Sequence, residues 1–106
     1  MEINEYQYLA MVSANKNLSK EDMLSNGVMG LCGESGEVID IVKKHLHHGH
    51  ELDKKHIFEE LGDVMWYIAE LCTTLDFKLE DVMIANIEKL KKRYPEGFSK
   101  ERSINR

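Results

Sequence analysis

The stretch "LCGESGEVIDIVKK", residues 31–44, decides how this chain is read. Leu31, Val38, Ile41 and Val42 recur at helical spacing and mark one apolar face. The same stretch carries two acids three residues apart, Glu34 and Glu37. At about 100° per residue, Glu34 falls inside the apolar face, between Leu31 and Ile41, and Glu37 falls at its edge. A carboxylate on a core-facing stripe is costly unless it meets a positive partner. The position of Glu34 therefore asks what that partner is.

The glycines at 27, 30, 33 and 36 bear on whether the segment is helical at all, since each costs about 1 kcal/mol against alanine in a helix. Close approach of another helix or backbone explains them, because a missing side chain lets a neighbour near. A partly looped segment is the alternative, with a break at "SNG", residues 25–27. The apolar face that continues through Val42 favours the helix. It starts near Ser19, where "SKED" offers a capping hydroxyl and an acid three residues on, and runs towards Leu46.

Three more helices surround it. One spans about Asn4 to Ala14. The third spans about Asp53 to Leu75, with Ile57, Phe58, Leu61, Val64, Met65, Ile68, Leu71, Cys72 and Leu75 as its apolar positions. The fourth spans about Leu79 to Tyr94 and is stopped by Pro95. No strand-like alternation stands out. The expected fold is all-α and four-helix bundle-like, completed by homo-oligomerisation, with residues 1–106 as a single domain. A chain of 106 residues has a modest core of its own, which a second copy can complete.

Composition narrows the function. The chain is 42% hydrophobic and 31% charged, with one proline and a net charge of −5. That balance suits a soluble globular domain and disfavours nucleic acid or anionic membrane as a partner, since both select basic surfaces. No signal peptide or membrane-length apolar run is visible, so a cytoplasmic location is expected. Cys32 and Cys72 form no CxxC motif and read as small hydrophobes. The segment "HLHHGHELD" between the second and third helices holds His45, His47, His48 and His50. It reads as a solvated loop around Gly49, because only His56 is left to supply a second cluster of ligands.

On the third helix, "EELGDVMWY" places Glu60 at the edge of the apolar face and Asp63 one turn along on the same side. Each helix thus carries an acidic pair at i, i+3. The 22 residues between Glu37 and Glu60 are enough to end one helix, turn and start an antiparallel one. Four converging carboxylates repel unless a cation binds, and a hard divalent ion such as Mg²⁺ suits oxygen ligands. On the fourth helix, Asn86, Lys89 and Arg93 form one stripe whose amide, ammonium and guanidinium suit phosphate oxygens. A basic helix end that complements the helix dipole is the plainer account of such charges. Trp66, Tyr67, Tyr6 and Gln7 are candidates for a base and sugar pocket. Trp66 falls away from the main apolar face, which suits a second interface better than a base platform.

The segments "GLCGESGEVIDIVKK", "EELGDVMWYIAEL" and "NIEKLKKRYPEGF" together resemble the MazG-like branch of the all-α nucleoside triphosphate pyrophosphohydrolases. The resemblance implies dimers or tetramers that hydrolyse nucleoside triphosphates to monophosphate and pyrophosphate with Mg²⁺ or Mn²⁺. It implies Glu34, Glu37, Glu60 and Asp63 as metal ligands, with Glu37 and Glu34 the catalytic candidates, and Asn86 and Lys89 as phosphate contacts. Many members carry one more acid, EExxE, where this chain has Gly33. Two rival readings remain: a phosphoribosyl-ATP pyrophosphohydrolase-like enzyme, and a non-catalytic helical module that binds nucleotide or a partner.

Overall fold

The computed structural model describes residues 1–106. It contains α1 (Ile3–Ala10), a 3-10 turn (Met11–Ser13), α2 (Lys20–His47), α3 (Lys54–Thr74), α4 (Leu79–Arg93) and α5 (Lys100–Ile104), with no strand. The first helix is shorter than its apolar spacing suggests, and the 3-10 turn carries the chain on to Ser13.

Helix α2 starts where the capping signal lies: Ser19 Oγ accepts the Asp22 N–H at 3.1 Å. It then runs unbroken for 28 residues, about 42 Å, through "SNG" and all four glycines. Two glycines have a packing reason. A Cβ on Gly27 would stand less than 3.0 Å from Glu70 Oε2 and the Leu71 side chain, and one on Gly30 would overlap the Tyr67 ring. Gly33 and Gly36 meet nothing within 4 Å. The helix also extends past the expected boundary, so His45 and His47 are helical rather than in a loop. Gly49, at φ 76°, makes the turn, and His45 Nδ1 lies 2.8 Å from the His50 carbonyl.

Asp53 caps α3 by accepting the His56 N–H at 3.0 Å. Gly27 meets Glu70 and Leu71, and Gly30 meets Tyr67, so α2 and α3 run antiparallel. The face that α3 turns to α2 is mixed, with Glu60, Asp63, Tyr67 and Glu70 on it. This corrects the expectation that the main apolar stripe of the third helix is its core face. Phe58, Leu61 and Met65 on that stripe are exposed by 79%, 54% and 39%. Ile57, Val64 and Leu71 on the same stripe are partly covered, and at its far end Ala69, Cys72 and Leu79 pack together against Ile3, Ala10, Met11 and Ile68.

One long side chain ties this small core together. Gln7 Nε2 donates to Thr73 Oγ1 at 3.1 Å and to the Phe77 carbonyl at 2.9 Å, while its Oε1 accepts the Leu79 N–H at 2.8 Å. Lys78 gives α4 no side-chain cap, so Gln7 supplies one from 72 residues away. Gln7→Ala strands the N–H of buried Leu79 and is expected to cost about 1–3 kcal/mol. Chemical denaturation of the variant checks this.

Beyond its first turn α4 packs on little: every residue from Asp81 to Lys92 is exposed, including Val82, Met83, Ile84, Ile87 and Leu90. Seven of 106 residues are buried. The radius of gyration is 17.0 Å, against about 13 Å for a compact chain of this length. A single chain therefore leaves much of its apolar surface in water. No helix is long and apolar enough to cross a membrane.

Candidate metal and nucleotide site

The antiparallel pairing of α2 and α3 sets Glu34 across from Glu60 and Asp63. One carboxylate oxygen from each of the three lies within 4.8 Å of the others. Glu34 and Glu60 are half-buried and Asp63 is exposed at the mouth. Glu60 Oε2 is buried, and no donor of the chain bonds to it. Glu37, one turn along α2, stands outside this group and borders a separate small cavity with Asp40, Lys44 and His56. Its charge still reaches the cluster.

The electrostatic state follows from this crowding. Glu34 has its pKa pushed up to about 7, first by a hydrogen bond shared with the Glu60 carboxyl, then by burial and by the charges of Glu60, Asp63 and Glu37. The Tyr6 phenol is also held above its usual value, by burial and then by the charge of Asp63, which places α1 beside the cluster. Between pH 4.5 and 7 the folded metal-free chain keeps a proton on Glu34 that the unfolded chain has released. This group therefore lowers stability as pH rises through that window. Melting in EDTA is expected at a lower temperature at pH 8 than at pH 5, with a flatter profile for Glu34→Gln. A divalent ion must displace the same proton, so its stabilising effect should be larger at pH 8 than at pH 5.

The aromatic candidates divide. Trp66 Nε1 donates to the Ala10 carbonyl at 2.8 Å and to Ser13 Oγ at 3.0 Å, so its polar edge fastens the 3-10 turn to α3. Its ring meets that of Tyr67 edge-on, centroids 5.0 Å apart. Both rings join Ser13, Glu34 and Asp63 around a cleft of about 340 Å³. The structure thus brings Trp66 and Tyr67 to the carboxylates. Gln7 is engaged elsewhere: its amide is committed at Thr73, ten residues along α3 from Asp63 and about 15 Å away by helical rise. Ser13 has no signal in the sequence, since it follows α1 with no motif around it.

The cationic stripe on α4 is not joined to the acids within one chain. Asn86 and Lys89 are exposed. Arg93 lines a distinct cavity of about 480 Å³ with Lys92, Arg102 and Arg106. Nor do the histidines of residues 45–50 gather: Glu34, Glu60 and Asp63 are the one group of three potential ligands that converges.

These features define an all-helical protein with a carboxylate-lined, aromatic-walled cleft between two antiparallel helices. The chain belongs to the MazG nucleotide pyrophosphohydrolase domain family, whose signature it matches over residues 24–98. It is also similar to the Gene 37 protein of Mycobacterium phage L5, at 39% identity over 87 residues, covering 78% of this chain and 76% of that protein. No solved structure matches it significantly.

Proposed function

We propose that the protein is a Mg²⁺-dependent nucleoside triphosphate pyrophosphohydrolase, with Mn²⁺ able to substitute. It converts an NTP or dNTP to the monophosphate and pyrophosphate, as in house-cleaning of the nucleotide pool. The observation that carries this reading is the convergence of Glu34, Glu60 and Asp63 within 4.8 Å. The donor set fits a hard cation: three converging carboxylates, and a proton on Glu34 held by a hydrogen bond shared with Glu60, by burial and by the neighbouring charges. These features favour oxygen-loving Mg²⁺ or Mn²⁺ over a softer metal.

Glu34, Glu60 and Asp63 would hold the ion, which when bound neutralises phosphate charge and acidifies a water. Glu37, outside the trio, orients the attacking water and takes its proton. Trp66 and Tyr67 wall the cleft where a base or sugar lies, and Ser13 offers a hydroxyl at its rim. Asn86, Lys89 and Arg93 hold phosphate oxygens. Since α4 stands away from the carboxylates of its own chain, those groups come from a second copy in a homodimer or homotetramer. The exposed apolar residues of α4 and the Phe58, Leu61 and Met65 stripe of α3 support such an assembly. The reading extends to one domain over residues 1–106, a cytoplasmic setting, and neither nucleic acid nor membrane as a partner.

The test is product analysis on a panel of canonical and modified nucleoside triphosphates, with phosphoribosyl-ATP included, in Mg²⁺. Pyrophosphate with the matching monophosphate is expected from a nucleoside triphosphate. Orthophosphate alone, or turnover of phosphoribosyl-ATP only, overturns the assignment.

A further inference from the structure

We propose that His56 is a positioning residue for the carboxylate cluster: its Nε2–H holds Oε1 of Glu60 and so turns Oε2 of the same carboxylate into the cleft for a divalent cation. The proposal rests on the metal reading above and adds a residue to it. His56 Nε2 lies 3.1 Å from Glu60 Oε1, one helical turn away, in a partly buried contact. The Glu60 side chain is only 13% exposed, and its other oxygen is buried with no donor. One oxygen thus faces His56, and the carboxyl also shares a hydrogen bond with Glu34.

His56 is itself held. Asp53 accepts its backbone N–H at 3.0 Å as the cap of α3, and Asp53 Oδ2 lies 4.0 Å from its Nδ1. Asp53, His56 and Glu60 stand at i, i+3 and i+7, a spacing that lines them along one helix face. Lys44, the lysine that borders the cavity beside His56, is bonded to Asp40 at 2.8 Å. Apart from the proton shared with Glu34, His56 is the side chain that reaches Glu60. A glutamate that ligates a metal as a carboxylate accepts hydrogen bonds only, so the bond requires the proton on Nε2. Fixing one oxygen removes the rotations that would otherwise let Glu60 swing away from the cleft. Outer-shell partners of this kind typically change metal affinity by about 10–100-fold.

The experiment is calorimetric titration of Mg²⁺ and Mn²⁺ into the full chain without nucleotide, for wild type, His56→Leu and His56→Gln. His56→Leu is expected to weaken binding by about 10–100-fold. His56→Gln keeps a side-chain N–H and is expected to recover affinity to within about threefold of wild type, which a packing role would not produce. Long-range proton–nitrogen spectra of the metal-free wild type are expected to show the His56 proton on Nε2, a readout that survives even if His56→Leu fails to fold. Equal affinity for wild type and His56→Leu, no rescue by glutamine, or an unprotonated Nε2 overturns the proposal alone. A wild type that binds neither ion overturns the metal reading and this proposal with it.

Discussion

Asp63→Asn leaves the helices intact and lowers pyrophosphate release by at least about 10²-fold, the scale on which loss of a preorganised charge at a reacting centre is felt. The side chain is exposed at the cleft mouth and makes no hydrogen bond within the chain that the fold needs. Removing its charge should therefore leave the circular dichroism of the metal-free protein nearly unchanged. It takes away one of three oxygens that share 4.8 Å of space. It also relieves repulsion on Glu34, so the Glu34 pKa should fall and the metal-free stability profile should flatten with pH. The companion variant separates the roles. Glu37→Gln, outside the trio, is expected to bind Mg²⁺ nearly as wild type and still lose turnover. Calorimetry and a pyrophosphate assay on both variants check the pair. Wild-type activity in Glu37→Gln would refute its part as the proton acceptor.

Gly30→Ala is expected to be the most damaging single-methyl change on α2. Its Cβ would fall within 3.0 Å of three carbons of the Tyr67 ring, a rigid group that cannot give way at its tip as a Glu or Leu side chain can. Overpacking of this kind costs about 1–3 kcal/mol, offset by about 1 kcal/mol of better helix propensity. The net loss, up to about 2 kcal/mol, lowers the melting temperature by roughly 4–8 °C per kcal/mol. Because Tyr67 walls the cleft, activity should fall as well. Gly36→Ala is the control. It meets nothing within 4 Å and should raise stability by up to about 1 kcal/mol. Thermal melts of the two variants should therefore move in opposite directions, and a Gly30→Ala protein as stable as wild type would show that the helices do not approach there as closely as described.

The helical segments were legible because apolar positions recur at helical spacing and because Ser19 and Pro95 mark boundaries found in the structure. The approach of α2 to α3 was legible in Gly27 and Gly30, but the same pattern at Gly33 and Gly36 has no neighbour within the chain. Periodicity located the apolar stripe of α3 but not which way it turns. Helical spacing shows that Phe58, Leu61 and Met65 share a face, and only tertiary packing decides whether that face meets α2 or water. The acids were legible as pairs, and Glu34, Glu60 and Asp63 bring oxygens together within 4.8 Å, while Glu37 reaches the group through its charge. Trp66 was read as facing a second interface; within the chain its Nε1–H fastens the 3-10 turn while its ring walls the cleft. His56 was read only as a spare metal ligand, although its place four residues before Glu60 is the spacing at which helical side chains meet.

Glu34, Glu60 and Asp63 sharing one divalent cation is the claim on which the rest depends, and paramagnetic broadening by Mn²⁺ tests it most directly. Titrating Mn²⁺ into isotope-labelled protein at pH 8 is expected to erase amide signals around residues 34, 60 and 63 first, and Mg²⁺ should restore them by competition. Broadening centred on His45–His50, or signals that persist throughout the titration, would contradict the account.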